Sequence, residues 1–242
     1  MSGKRKRDDL DRSIEAFYDE LQADEAMGGN GSNVTVDLSA MTVDLVAKHV
    51  ARLRGMPLPL QQALCDVLTP HDFFSADNEK TRHTDMLHLG KHFVGGQLRE
   101  LGKIPPLIQR ISAEAQRVAA DGGLRLPCPA LQSVDVAVVN GYRQHAKLGL
   151  HADRASARHP GVPVVAVSLG DSAEFVWKRS WKRSAQLERL LLGSGDVLIF
   201  GGSARGMVHG VDRIVEGSGP ADLRLGGADA GWRRVCITCR EH

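Results

Sequence analysis

The apolar residues between Thr42 and Arg54 recur every three or four positions, a spacing that places them on one face of a helix. They are Val43, Val46, Val50 and Leu53. Gly55 and Pro57 follow directly, and both residue types end helices. The pattern therefore predicts a helix over residues 42–54, and a second helix over residues 58–68.

A third predicted helix has the most complete set of boundary signals. Pro105 and Pro106 open it, because proline suits the first turn of a helix, and Gly122 and Gly123 end it. One of its faces carries Leu107, Ile108, Ile111, Ala115 and Val118. We expect these helices to brace a sheet.

Beyond Pro129 the pattern changes to short β-branched runs with turn residues between them, which is typical of strands. The runs cover residues 134–139, 163–169, 173–177, 196–200 and 233–239. Helices first and strands afterwards predict an α+β domain. Its core is expected to be a double-stranded β-helix, or jelly roll, braced by the N-terminal helices.

Residues 1–33 differ from the rest of the chain. They begin with the basic run Lys4-Arg5-Lys6-Arg7, continue through an acidic stretch and end in a glycine-rich segment. We predict a disordered basic and acidic tail here. The alternative is a short amphipathic helix, whose apolar face would carry Leu10, Ile14, Phe17 and Leu21.

The remaining residues, 34–242, are predicted to form one domain, since 42% apolar residues suffice to bury a core. We expect helical support and a substrate lid over residues 34–130. The catalytic jelly-roll core is expected over residues 131–242.

Composition narrows the class of protein. The 31 basic and 29 acidic residues give a net charge of +2, which is too even to indicate nucleic-acid binding by itself. No run of 18 apolar residues and no apolar N-terminal segment occurs, so we expect no membrane span. Four cysteines are too few for a disulfide framework and fit a reducing compartment. We expect a soluble intracellular protein, in the nucleus or cytoplasm, and Lys4–Arg7 is either a nuclear import signal or a chance run.

A candidate metal site begins with His151 and Asp153. On an extended strand, side chains two residues apart project from the same face, so these two can bind one ion. His209 is the candidate for a third ligand, because it follows the predicted strand at 196–200 and the turn Gly201–Gly202. Two histidines and one carboxylate are the donor set of non-haem Fe(II) oxygenases. A histidine taken alone is more often an ordinary hydrogen-bonded surface or core residue than a metal ligand.

The last predicted strand carries a candidate site for a dicarboxylate such as 2-oxoglutarate. Arg234, Cys236, Thr238 and Arg240 share one face of it. Arginine binds carboxylates through a planar fork that keeps its charge. The alternative is an exposed amphipathic strand. Cys236 and Cys239 fall on opposite faces, which disfavours a zinc or redox pair.

Taken in order, these motifs resemble the AlkB family of 2-oxoglutarate oxygenases over most of residues 86–240. The matching segments are Asn140-Gly141-Tyr142, residues 146–153, residues 163–170, Gly195-Asp196-Val197, Gly201-Gly202-Ser203, Arg205 and His209. The family's closing Arg-x-Asn-x-Thr-x-Arg is here residues 234–240, with Cys236 in place of asparagine.

The resemblance implies an Fe(2+)- and 2-oxoglutarate-dependent dioxygenase that uses O2. Its expected reaction is the oxidative demethylation of N-alkylated bases in DNA or RNA, as in DNA repair, with release of formaldehyde, succinate and CO2. Iron ligands and catalytic residues are then His151, Asp153 and His209. Residues expected to hold 2-oxoglutarate are Asn140, Tyr142, Arg234, Thr238 and Arg240. The expected partner is methylated nucleic acid, bound by a monomer.

Substrate contacts are less sharply indicated. Phe93 resembles the aromatic residue that ends the family's lid segment, which makes it either a stacking platform or a core residue. Arg183 aligns with an arginine that lies near the family's substrate, in the basic segment Lys178–Arg183 around Trp181. That segment fits a nucleic-acid surface and equally a solvated hairpin tip.

Two departures from the family pattern leave other functions open. Cys236 removes an amide donor, which predicts weaker co-substrate binding, because a thiol is a poorer hydrogen-bond donor. Ala155 stands where family members that act on bases carry an acidic residue. The alternatives are an AlkB-like oxygenase acting on a protein or small molecule, and a weakly active nucleic-acid-binding relative.

Overall fold

The computed structural model describes residues 34–76, 81–94, 97–156, 159–226 and 231–242, without the side chain of Phe93. The predictions for the tail at residues 1–33 lie outside this part of the chain. Two α-helices are described, α1 (Leu58–Leu68) and α2 (Pro106–Asp121). The strands are β1 (Thr42–Ala47), β2 (Val50–Arg54), β3 (Phe74–Ser75), β4 (Thr84–Val94), β5 (Gln97–Glu100), β6 (Val136–Tyr142), β7 (Leu148–His151), β8 (Val164–Gly170), β9 (Ser172–Lys178), β10 (Glu188–Leu192), β11 (Val197–Phe200), β12 (Val208–Val215) and β13 (Arg234–Arg240).

The described strands form two antiparallel sheets. The larger sheet has the order β1-β2-β11-β8-β13-β6-β4-β3, with β5 paired to β4, and the smaller has the order β10-β9-β12-β7. The sheets pack face to face, since Phe175 and Trp177 of the smaller sheet share an apolar cluster with Leu198 and Phe200 of the larger. The predicted jelly-roll core is confirmed.

Both helices cover the outer face of the larger sheet. Leu64 of α1 and Ile111 of α2 are fully buried in a cluster with Val167 and Ile237 of the sheet. Proline occupies the first turn of each helix, where a missing backbone N–H costs nothing. The predicted helices at 58–68 and from Pro106 to the Gly122–Gly123 pair are therefore confirmed.

The predicted helix over residues 42–54 is wrong. This segment forms β1 and β2, which are joined by a two-residue turn at Lys48 and His49 and pair as an antiparallel hairpin. The segment is rich in β-branched residues, which favour extended backbone. Pairing of β2 with β11 then fixes the strand conformation, and the apolar spacing that suggested a helix reflects two strands around a turn.

The side chains of β13 point alternately to the two faces of the sheet, as predicted. Arg234, Cys236, Thr238 and Arg240 line a cavity between the two sheets. Val235, Ile237 and Cys239 point the other way, into the core under the helices. The two cysteines therefore lie on opposite faces, and all four cysteines of the chain are free thiols. Among the described helices, none is long and apolar enough to cross a bilayer.

Candidate active site

His151, Asp153 and His209 converge at one end of the space between the sheets. One ligand atom from each lies within 4.8 Å of the others. His151 ends β7 and His209 lies in β12, where the two residues are direct cross-strand partners. Asp153 follows two residues after the end of β7. The sequence prediction that these three distant side chains meet agrees with this geometry.

A glycine permits the close approach of the two strands that carry the histidines. Gly210 follows His209, and a Cβ atom at this position would collide with the carbonyl oxygen of Leu148 in β7. The pairing of β7 with β12 is irregular at this point, between His209 and Val211. Any side chain at residue 210 would push the strands, and with them the two imidazoles, apart.

Both imidazoles are oriented by the backbone. His151 Nδ1 lies 3.0 Å from the carbonyl oxygen of Gly149, and His209 Nδ1 lies 3.3 Å from that of Met207. A carbonyl only accepts hydrogen bonds, so each Nδ1 carries a proton. Nε2 is then the nitrogen of each ring that can bind a metal ion.

Asp153 is buried and paired with a cation. Its side chain is 8% exposed, and its Oδ1 accepts a hydrogen bond of 2.5 Å from Arg240 Nη1. Its Oδ2 lies 3.7 Å from His209 Nε2. Burial raises the pKa of this carboxyl, but the interactions with His209 and Arg240 outweigh it and hold the pKa below its usual value. Burial lowers the pKa of His209 to about 4. Asp153 is therefore a carboxylate and His209 a neutral imidazole near pH 7, and both are the forms that bind metal.

Arg205 fixes the loop after β7. Its guanidinium is buried and donates hydrogen bonds to the backbone carbonyls of Asp153, at 3.1 Å, and Arg154, at 2.6 Å. Arg205 is one of the residues that match the AlkB family pattern, but the resemblance assigns it no role. The structure shows it holding the backbone of the candidate metal-binding aspartate.

The cavity beside these residues has a volume of about 460 Å³. Its floor is a row of neighbouring strands in the larger sheet, with Tyr142 opposite Arg234 and Asn140 opposite Cys236. Arg234 and Arg240 lie six residues apart at the two ends of the lining strand β13. The five residues predicted to bind 2-oxoglutarate thus line one cavity together with the candidate metal ligands.

Arg234 is a buried cation held by neutral groups. It is 1% exposed and donates to the carbonyl oxygens of Asp171, at 2.9 Å, and Leu192, at 3.1 Å. Its Nη2 donates to Ser168 Oγ at 2.6 Å. None of these described partners carries a negative charge, and a buried unpaired charge is costly. An anion in the cavity would supply the missing partner.

Three buried polar atoms of cavity residues lack a hydrogen-bond partner among the described residues. They are Asn140 Oδ1, Asp153 Oδ2 and Arg234 Nε. Buried polar atoms are rarely left unpaired in proteins. An unpaired carboxylate oxygen 3.7 Å from an imidazole nitrogen fits a divalent cation, and a buried guanidinium fits a dicarboxylate. The residues present therefore fit iron and 2-oxoglutarate.

Of the two residues predicted to bind substrate, Arg183 is not among those that line the cavity. Arg183 is exposed in the turn between β9 and β10, next to Trp181, which is 64% exposed. Phe93 lies in β4 with Leu98 as its cross-strand partner, and its side chain lies outside the described part. Both roles stay predictions.

Met86 and His88 of β4 also line the cavity, and the sequence did not lead us to predict them there. Within β4, only the segment that ends at Phe93 resembles a family element, the lid. The available signal was the alternation of Met86 and His88 with the core residues Leu87 and Leu89, which is the period of a half-buried strand.

Comparison with known proteins agrees with this site. The sequence pattern of the 2OG-Fe(II) oxygenase superfamily matches residues 48–240. The chain is 42% identical over 97 residues to DNA N(6)-methyladenine demethylase ALKBH1D of Arabidopsis thaliana, which covers 38% of this chain and 22% of that protein. It is 47% identical over 88 residues to an alpha-ketoglutarate-dependent dioxygenase AlkB homolog of Caulobacter vibrioides, covering 35% of this chain and 37% of that protein.

The chain therefore spans less than two thirds of the length of these relatives. Among solved structures, that of OsALKBH1 superposes with a TM-score of 0.69 at 26% identity, and the match covers 83% of this chain and all of that one. The superfamily pattern covers most of the chain and includes the residues of the cavity. This chain belongs to the 2OG-Fe(II) oxygenase superfamily and, within it, to the AlkB family.

Proposed function

We propose that this protein is an Fe(II)- and 2-oxoglutarate-dependent dioxygenase that removes methyl groups from N-alkylated bases in DNA or RNA. The observation that carries the proposal is the convergence of His151, Asp153 and His209, within 4.8 Å of one another, beside a cavity that also contains Arg234 and Arg240. A metal site alone would fit many functions. A metal site beside two arginines on one strand fits an ion bound together with a dicarboxylate.

The proposed iron ligands are the two imidazoles and the carboxylate, which are also the proposed catalytic residues. When bound, iron, 2-oxoglutarate and O2 supply an oxidant that hydroxylates an N-methyl group, after which the product releases formaldehyde, and succinate and CO2 are formed. Arg240 keeps Asp153 ionised and oriented. Burial of Asp153 and His209 keeps bulk water away from the reacting centre.

We assign co-substrate binding to the end of the cavity at Arg234, opposite the candidate metal ligands. Arg234 pairs with one carboxylate through its planar fork, because its present partners leave its charge uncompensated. Asn140, Tyr142 and Thr238 line the space between and offer polar groups to the rest of the molecule. Arg240, at the metal end, is proposed to approach the second carboxylate.

A nucleic-acid substrate is supported by the relatives and by one surface. The Arabidopsis relative is named as a demethylase of N(6)-methyladenine in DNA. A cavity of about 460 Å³ lies within the range of sites for small molecules, so it has room for the co-substrate and a single base. Lys182 and Arg183 are exposed around Trp181 in the β9–β10 turn, a combination that binds phosphates and stacks on bases. Arg183 and Phe93 are the proposed substrate contacts.

We also propose that the protein acts as a monomer in the nucleus or cytoplasm. The basic run Lys4–Arg7 supports nuclear import, and the four free thiols support a reducing compartment.

The test is succinate formation by the iron-loaded protein with and without N-methylated oligonucleotides, together with formaldehyde release. We expect the methylated strand to stimulate turnover and to lose its methyl group. His151→Ala is expected to abolish both signals, whereas His145→Asn, at an exposed position, leaves them intact. Turnover of 2-oxoglutarate that no methylated DNA or RNA stimulates would contradict the proposal of a nucleic-acid substrate. Absence of any turnover would contradict the proposal that the protein is a dioxygenase.

A further inference from the structure

His88 lies in the wall of the cavity and has no place in the metal or co-substrate site. It is in the middle of β4, where its cross-strand partner is Val138 of β6, which in turn pairs with Thr238 of β13. Its side chain lines the same cavity as His151 and His209. The imidazole therefore faces the reaction chamber from the larger sheet, whereas both histidine metal ligands come from the smaller one.

The register places His88 nearer to the metal end than to the co-substrate end. Met86 shares a row with Asn140 and Cys236, and His88 lies one row further along, with Thr238. The next row contains Arg240, whose guanidinium contacts Asp153. A molecule that fills the space in front of His88 is therefore close to the ion and away from Arg234.

The ring of His88 is held in one orientation. One face is covered by His92, with centroids 4.5 Å apart and planes only 1° from parallel. Phe74 meets it edge to face at 5.2 Å. His92 is itself fixed, because its Nε2 lies 2.9 Å from the carbonyl oxygen of Leu89. A ring positioned in this way offers its nitrogen-bearing edge at a defined place, at little cost in conformational entropy.

The same ring is neutral near pH 7. Burial, with smaller contributions from His92 and Arg240, lowers the pKa of His88 to about 4. A neutral imidazole has one N–H donor and one nitrogen acceptor. No hydrogen bond to either ring nitrogen occurs within the described ranges. A neutral ring with one donor and one acceptor matches the polar edge of a nucleobase, where an N–H group adjoins a ring nitrogen. It matches a phosphate less well, because a phosphate is bound most strongly by charged donors.

We propose that His88 is a specificity-determining residue, which hydrogen-bonds the polar edge of the N-methylated base through its imidazole nitrogen. The inference rests on the proposed function and names the residue that reads the base within the same cavity. A site that hydrogen-bonds its substrate rejects analogues that lack the partner group, because the site's own polar atoms are then left unpaired.

The test compares His88→Phe, which keeps a flat ring without nitrogen, with His88→Gln, which keeps a donor and an acceptor. Binding of a fluorescent N-methylated oligonucleotide, and of its unmethylated counterpart, is measured by anisotropy with iron and 2-oxoglutarate under nitrogen, so that no turnover is needed. We expect His88→Phe to bind the methylated strand about tenfold more weakly, the loss typical of a buried hydrogen bond to a ligand. His88→Gln should recover part of that loss.

Controls separate this role from a structural one. Thermal unfolding and iron content show whether each variant folds, and His145→Asn serves as a histidine substitution at an exposed site. The specific signature is a smaller ratio of methylated to unmethylated affinity in His88→Phe. Affinity and discrimination equal to wild type in that variant would overturn the inference while leaving the proposed function standing. Failure of the wild-type protein to bind any methylated strand would overturn both.

Discussion

His151 and His209 face each other across a pair of antiparallel strands, with their ring centroids 4.5 Å apart and their planes tilted by 53°. Each ring is anchored through Nδ1 to the carbonyl of the residue two positions earlier in the chain. The Asp153 carboxylate completes the group from the following loop. Two rigid strands therefore position two ligands, whereas the third depends on Arg240 and Arg205.

Replacing the aspartate tests the metal site most directly. Asp153→Asn keeps the shape of the side chain but removes the charge, so both the ion and Arg240 lose their anionic partner. Loss of a supporting residue typically weakens metal binding 10–100-fold, so we expect a ligand substitution to weaken iron binding by more than about 100-fold. Iron retention after dialysis measures this. Asp212→Asn, on the surface, should bind iron as wild type does; equal retention in Asp153→Asn would contradict the assignment.

Substitutions of Arg234 and of Arg240 should have different effects. Arg234→Lys keeps a positive charge but cannot form a planar, bidentate pair, so we expect the KM for 2-oxoglutarate to rise about tenfold or more. Arg240→Lys disturbs the partner of Asp153, so iron affinity should fall about 10–100-fold as well. Titration of each variant with iron and with 2-oxoglutarate separates the two effects. An unchanged KM for 2-oxoglutarate in Arg234→Lys would disprove the proposed carboxylate contact.

The site was more predictable than the fold around it. The His151–Asp153 spacing and the alternation along residues 234–240 are local properties, so the chain itself contains them. The partnership of His209 with His151 is a long-range strand pairing, for which the sequence offered only the position of His209 after a predicted strand and turn, together with the family resemblance. Strand β12 was not predicted as a strand.

The wrong helix at residues 42–54 and the missed His88 have a related cause. Short apolar patterns fit a helix or two strands about equally well, and sheet pairing decides between them. β2 is a strand because β1 and β11 lie on either side of it. Likewise His88 is a cavity residue because β4 pairs with β6, an alignment that one sequence does not contain.

Cys236 provides a gain-of-function test. Its thiol lies opposite Asn140 on the cavity floor, and burial raises its pKa, so it remains a neutral, weak donor. Cys236→Asn restores an amide donor. We expect the KM for 2-oxoglutarate to fall about fivefold, which corresponds to one added hydrogen bond. Cys239→Ala, on the opposite face of the strand, is the control and should change stability without changing this KM. A higher KM for 2-oxoglutarate in Cys236→Asn would contradict the proposal that an amide at this position donates a hydrogen bond to the co-substrate.

Stability should depend on pH through His88 and His209, whose imidazoles have lowered pKa values. The pKa of His88 and of His209 is lowered to about 4, against 6.5 in a model compound. Between these values the unfolded chain binds protons that the native protein does not. The free energy of unfolding should therefore decrease as the pH falls from 6.5 to 4, and these groups should add no slope above 6.5.

His88→Phe removes one of these two contributions. The slope below pH 6.5 should become shallower by up to about 1.4 kcal/mol per pH unit, and by less if solvent reaches the half-buried ring. Urea unfolding of the iron-free protein at pH 5 and pH 7 measures it, with His145→Asn as the comparison. An unchanged slope in His88→Phe would mean that this ring is not neutral in the native state.

The β9–β10 turn should contribute affinity for long substrates only. Lys182 and Arg183 are exposed beside Trp181, far enough from the cavity that neither residue lines it. Replacing both with glutamate should raise the KM for a methylated oligonucleotide about tenfold at low salt, because two phosphate contacts are lost. The KM for a methylated mononucleoside should stay unchanged. If the two cations contact phosphates, the slope of log affinity against log salt should also become smaller by about 1.4 for a single strand. An equal loss with the mononucleoside would instead place Arg183 at the reacting base, and no loss with either substrate would make the turn an ordinary solvated hairpin.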